Sequence, residues 1–150
     1  MALACATATA QTATRTVPRI HGPNGDSTQA EQLRAEDIVY SKGSAPGISS
    51  FAVVGASGEA GLYLQRIRME AGAGNPAHTH PDARITTVLS GTVYYGIGTV
   101  ADRDKATAYG PGSVFFTPAG TPHFALAGDG PAVYEEAGFG PSKIIPAARP

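Results

Sequence analysis

Three of the four histidines in this chain stand where they could act together. His78 and His80 are separated only by Thr79. On an extended strand, residues i and i+2 share a face with Cα atoms roughly 6.5–7 Å apart. Two imidazoles at that spacing can lean onto one ion, whose bonds to imidazole nitrogen are about 2.0–2.1 Å long. A His-x-His pair on a strand is therefore a two-point chelate, as His at i and i+4 is on a helix. The pair alone is a weak signal, because two histidines satisfied by ordinary hydrogen bonds would look the same. His123 is a third candidate further along the chain. His21 lies in a Gly- and Pro-containing polar segment and reads as solvent-exposed.

The elements that must position these residues are strands. Charged residues are 15% of the chain, against 19 glycines and 12 prolines. That balance suits short strands joined by tight turns rather than a helical bundle. Apolar, β-branched stretches recur at Phe51–Val54, Leu62–Met69, Arg84–Ile97, Val114–Phe116, His123–Leu126 and Val133–Phe139. Ser90-Gly91 divides the third of these as a hairpin turn, and Gly128-Asp129-Gly130 is a further turn. Residues 102–109 read as a polar loop. Upstream, Thr28-Gln29-Ala30-Glu31 has the form of a capping box, which predicts a short helix to about Ala35. Ile38-Val39-Tyr40 reads as a first short strand. Evenly spaced strands without long helical periodicity predict an all-β sandwich or barrel.

With the strands in place, the spacing around the histidines gains meaning. Gly72 is followed by five residues, then His78-Thr79-His80, three residues, Arg84, six residues and Gly91. Gly112 is followed by five residues, then Pro118-Ala119-Gly120, two residues and His123. These stretches resemble the paired motifs of the cupin superfamily, G-x5-H-x-H-x3,4-E-x6-G and G-x5-P-x-G-x2-H-x3-N. The resemblance covers roughly Leu62 to Gly138. It implies a single-domain cupin jelly-roll β-barrel with a short N-terminal helix or arm. It also implies that His78, His80 and His123 hold one divalent transition metal ion (Fe, Mn, Zn, Ni or Cu) inside that barrel. The expected organisation is a flexible tail over 1–27, a short helix and linking arm over 28–48, and the barrel over 49–146.

Two positions depart from the family pattern. Arg84 stands at the family glutamate and Ala127 at the family asparagine. Arginine neither loses its proton nor ligates a metal. A fourth protein ligand is then either absent or supplied by Asp82, Gln65, Glu135 or Glu136, and the sequence does not choose. Arg84 has two readings: it clamps an anionic group of a substrate, or it pairs with Asp82 and braces the motif loop. The functional expectation is a metal-dependent enzyme acting on a small organic substrate, dioxygenase chemistry first and isomerase or lyase chemistry next, with Arg84 or Asp82 orienting substrate or moving a proton. The alternative is a cupin that binds a small ligand without turnover.

Other classes are disfavoured. The formal net charge is -1 and no Lys/Arg cluster is present, so no nucleic-acid partner is expected. No apolar run approaches a membrane span. Cys5 is the single cysteine, which rules out an intramolecular disulfide. Gly96-Ile97-Gly98 lacks the third glycine and following helix of a dinucleotide fingerprint. Residues 1–15, mostly Ala and Thr, resemble the small-residue cleavage region of a secretory signal, which would make the protein periplasmic or secreted; read instead as a disordered tail, they leave it cytoplasmic. Small cupins are commonly dimers, and the resemblance implies a homodimer to which residues 16–42 contribute an exchanged arm.

Overall fold

The computed structural model describes residue 20 and residues 30–148. Eleven strands account for nearly all its regular structure: β1 (Ser41–Lys42), β2 (Ile48–Val54), β3 (Gly61–Met69), β4 (Gly74–Thr79), β5 (Arg84–Ser90), β6 (Val93–Ile97), β7 (Thr107–Tyr109), β8 (Val114–Thr117), β9 (His123–Ala127), β10 (Ala132–Gly140) and β11 (Ile145–Pro146). They form a six-stranded sheet in the order β1-β2-β3-β10-β5-β8 and a five-stranded sheet in the order β11-β4-β9-β6-β7. Every ladder is antiparallel. This is the all-β architecture that the strand pattern predicts, and the jelly roll that the resemblance implies.

The core lies between the sheets. Side chains alternate across each strand, and the inward set of β5, Arg84, Thr86 and Val88, is buried while Ile85 and Leu89 are exposed. Met69, Val88, Val93, Ala127, Ala132 and Tyr134 close one end of the sandwich as an apolar cluster. The other end keeps a polar cavity, so packing on the apolar side holds the strands that frame the histidines.

Three local expectations need correction. Of the helix expected over 28–35, residues 28–29 lie outside the described residues, residues 30–34 are not helical, and Ala35–Asp37 makes one 3-10 turn. That turn buries no residue and its N-cap makes no side-chain hydrogen bond. A helix this short needs an apolar face packed on the body to persist, and this segment has none. Residues 38–40 are not a strand. The edge of β2 opposite them is occupied by Ile20, whose N–H donates to the Val53 carbonyl at 3.0 Å. The expected loop over 102–109 holds a 3-10 turn at Arg103–Lys105, capped by Asp102, and then β7, which pairs with β6. The tail expected over 1–27 lies outside the described residues apart from Ile20. No described helix is long and apolar enough to cross a membrane.

Candidate metal centre

His78 on β4 and His123 on β9 face each other as cross-strand partners in the five-stranded sheet. His80 follows just beyond the end of β4. Its carbonyl accepts the Gly120 N–H at 2.8 Å, and Gly120 takes φ +73°, a left-handed conformation open to glycine. The Pro118-Ala119-Gly120 turn of the second motif thus docks onto the backbone of the first. All three histidines are buried. Their ring centroids are 4.7 Å (His78–His80), 4.5 Å (His78–His123) and 5.4 Å (His80–His123) apart.

Each ring is oriented by a backbone carbonyl. His78 Nδ1–H donates to Pro76 O at 2.7 Å, His80 Nδ1–H to Lys143 O at 2.9 Å, and His123 Nδ1–H to Thr121 O at 2.8 Å. A ring that donates from Nδ1 while neutral carries its lone pair on Nε2. Burial, then the Arg84 guanidinium, then His78 push His80 down to about 3, against the opposing pull of the Lys143 carbonyl. Burial pushes His123 down to about 4, with the Thr121 carbonyl opposing and His78 and Arg84 adding to the shift. Neutral imidazoles with a fixed tautomer are the form that metals bind.

The donor set fits a metal ion. One nitrogen from each histidine lies within 4.8 Å of the others. A point therefore exists within about 2.8 Å of all three, so an ångström of ring closure reaches the ~2.0–2.1 Å of a metal–imidazole bond. No carboxylate belongs to this group among the described residues.

The three rings line a cavity of about 150 Å³. Arg84, Gln65 and Glu136 line its wall on the six-stranded sheet, and Ile67, Tyr95 and Phe115 give it an apolar side. Arg84 is 2% exposed at its side chain and is held between two acids: Nη2 donates to Asp82 Oδ1 at 2.9 Å and Nη1 to Glu136 Oε2 at 3.2 Å. Nη2 also donates to Ser142 Oγ at 2.8 Å. Nε is buried without a partner among the described residues. Gln65 Nε2 donates to Glu136 Oε2 at 3.0 Å, and Tyr63 OH to Asp82 Oδ2 at 2.5 Å. Burial alone would raise Asp82, but the Ser142 and Tyr63 hydrogen bonds and the Arg84 charge outweigh it and hold its carboxyl low.

The four candidates for a further ligand therefore separate. Asp82 has both oxygens engaged away from the histidines. Glu135 points to the opposite side of β10, where it pairs with Arg66. Gln65 and Glu136 reach the cavity wall. Both readings of Arg84 have a counterpart: it pairs with Asp82, and it lines the cavity. Sequence reasoning missed the oriented carbonyls and Ser142. For His78 and His123 the signal was local, since each bonds the carbonyl two residues before it. For His80 none existed, because Lys143 arrives through β11 from a distant part of the chain.

Residues 65–135 match a family described as Cupin domain. Over 74 residues, 48% of this chain, the sequence is 40% identical to germin-like protein subfamily 2 member 1 of Arabidopsis thaliana. That match spans 34% of the plant protein, about a third of its length. The polyketide cyclase RemF of Streptomyces resistomycificus superposes with a TM-score of 0.67 at 16% identity, over 81% of this chain and 88% of that one. A salicylate 1,2-dioxygenase of Pseudoaminobacter salicylatoxidans superposes with a TM-score of 0.56 at 18% identity, over 67% of this chain and 30% of that one. At these identities the structural likeness speaks to the fold. The domain match over residues 65–135 and the two histidine motifs support reading this chain as a member of the cupin superfamily.

Proposed function

We propose that the protein is a metal-dependent enzyme in which His78, His80 and His123 hold one divalent transition metal ion (Fe, Mn, Zn, Ni or Cu) and a small organic substrate reacts beside it. The observation that carries this reading is the trio of buried imidazoles, each fixed through Nδ1 so that Nε2 is left for an ion. When bound, such an ion supplies Lewis acidity, and redox chemistry as well if it is iron. Dioxygenation is the first reaction class and isomerisation or lyase chemistry the next. The polyketide cyclase and the dioxygenase share the fold yet act differently, so fold alone does not choose among these.

The chain's own residues limit the substrate. A cavity of about 150 Å³ is the size that admits a benzene-sized molecule. Ile67 and Phe115 would exclude water from an apolar body, and Tyr95, whose hydroxyl pairs with Thr117 Oγ1 at 2.7 Å, would flank it. Glu136 offers one carboxylate oxygen, Oε1, beyond the Oε2 that Arg84 and Gln65 engage. That oxygen is the group we assign to accept or return a substrate proton. Arg84 positions Glu136, and Asp82, its oxygens engaged, steadies Arg84 from behind.

A second reading, capture of a small ligand without turnover, is favoured by one observation: no carboxylate joins the histidines. Elemental analysis of the purified protein by plasma mass spectrometry tests the metal site, with a His78→Ala/His123→Ala variant as control. About one equivalent of a transition metal, lost in the variant, is expected. No metal after reconstitution refutes the enzyme reading. A loaded protein that binds small phenols or oxo acids calorimetrically, yet neither consumes oxygen nor converts them, moves the conclusion to the second reading.

A further inference from the structure

The cavity lined by the three histidines has a neighbour. A second cavity of about 170 Å³ lies between the turn that joins β1 to β2 and the strands β4 and β11. These strands end the two sheets on that side, β1 and β2 the six-stranded sheet and β11 and β4 the five-stranded one. Ser44, Asn75, His78 and Ile144 line both cavities. The second adds Pro76, Ala77 and Pro146. Its place follows from the ladders. β11 pairs with β4 only at Thr79 and His78, and the register between β4 and β9 shifts between Asn75 and His78. Regular pairing is thus interrupted at Pro76 and Ala77.

This wall asks nothing of a polar ligand. Pro76 has no N–H, and its carbonyl accepts the His78 Nδ1–H at 2.7 Å. The Ala77 carbonyl accepts the Ala147 N–H at 3.0 Å. Ser44 Oγ donates to Asn75 Oδ1 at 2.8 Å, and Asn75 also hydrogen-bonds the buried Tyr134. The side chains of Pro76, Ala77, Ile144 and Pro146 carry only carbon and hydrogen. The first cavity differs, with its imidazoles, Gln65 and Glu136. Ordinary small-molecule sites begin at about 300 Å³; neither cavity reaches that size alone, and the two together do. We propose that the second cavity binds the apolar tail of the same ligand whose polar head sits among the histidines. The substrate is then an elongated amphiphile, a metal-binding head with an alkyl or aryl extension. This rests on the reading of the histidines as a metal centre.

Alkyl hydroxamates test it on the full chain loaded with zinc, because the head chelates a divalent metal and the tail can be lengthened stepwise. Calorimetric affinities are compared for acetohydroxamate, butanohydroxamate and hexanohydroxamate. Affinity is expected to rise about threefold per methylene, close to full burial of each. Ala77→Leu puts a larger side chain into the second cavity. It should cut the ratio of hexanohydroxamate to acetohydroxamate affinity by about fivefold or more, the loss of one or two buried methylenes. The ratio is taken within each protein, so a change at the head cancels. If Ala77→Leu fails to fold or to hold zinc, Ile144→Trp, at an exposed position on the same cavity, is read in its place with the same expectation. A short probe that binds while longer ones gain nothing overturns this inference and leaves the metal centre standing. A tail gain that the blocking substitution does not touch also overturns it, since the tail would then lie elsewhere. Failure to hold zinc, or to bind even acetohydroxamate, defeats the metal reading and this inference with it.

Discussion

Arg84 is the residue whose replacement tests the site most directly. Its guanidinium is almost fully enclosed and serves two carboxylates, Asp82 and Glu136, that are themselves only 7% and 13% exposed at their side chains. Arg84→Met keeps most of the volume and removes the charge, leaving two enclosed acids without their cation. Removing one partner of a buried pair costs about 3–5 kcal/mol, because the remaining charge is uncompensated. For a chain of this length, 1 kcal/mol corresponds to roughly 2–4 °C in Tm, so the melting temperature should fall by about 6–20 °C. The pH dependence identifies the cause. Asp82 is held below its ordinary 3.8 in the native protein. A depressed carboxyl contributes stability that is present above its unfolded pKa and is lost as pH falls through the folded one. The gap between wild type and Arg84→Met should be full at pH 7 and narrow as pH falls below the ordinary 3.8 of Asp82 toward its depressed native value. Urea unfolding at pH 7, 5 and 3.5, read at constant slope, measures it. Asp82→Asn introduced into Arg84→Met should recover part of the loss, because it removes one of the stranded charges. A penalty under about 1 kcal/mol, or one that persists unchanged at pH 3.5, would refute the view that Arg84 acts as a buried counter-ion.

Three further outcomes follow from the same geometry. Stripping the bound metal with a chelator should lower Tm by about 5–11 °C if the ion was held at a hundred times its Kd, which corresponds to ~2.7 kcal/mol; an unchanged Tm counts against the site. In the metal-free protein, His80 and His123 stay neutral to about 3 and 4 while the unfolded chain protonates near 6.5. Stability should therefore be full above pH 6.5 and decline as pH falls from there, and urea midpoints that stay flat or rise between pH 7.5 and 5 would contradict this. Gly91 sits at φ +71°, and an added Cβ would lie 2.2 Å from Pro131 O and 2.8 Å from Ala132 Cα, both backbone atoms. Gly91→Ala should thus cost at least ~1–3 kcal/mol in urea unfolding, and a neutral effect would mean that the hairpin moves freely.

Much of this architecture was legible because glycine and proline mark the turns and apolar runs mark the strands between them. Where the reading failed, the local signal was weak or the deciding contact was distant. β4 went unseen because Gly74, Asn75 and Pro76 are poor strand formers. The strand exists because β9 and β11 pair on its two sides. β7 is polar and is held by β6. The capping box at Thr28 was locally sound, but it had no apolar face to dock. Of Glu135 and Glu136, neighbours on one strand must point to opposite faces. Placing Tyr134 in the core would have sent Glu136 inward and Glu135 outward, but nothing in the sequence singles Tyr134 out from the other aromatic residues.

Arg84 was the least legible residue of all, since its partners include Glu136 and Ser142, 52 and 58 positions away. Those partners also explain how a cation can occupy the place where the family pattern has a glutamate. A lone guanidinium there would repel a dication bound by the histidines. This one brings Asp82 and Glu136 with it, one formal positive charge against two negative. The sum beside the histidines is a single negative charge, the same as one glutamate would give. The site thus keeps the electrostatic setting of an acidic ligand while giving up the ligand. On the proposed reading the histidines would hold an ion without a carboxylate, and Glu136 Oε1 would face whatever shares the cavity with it.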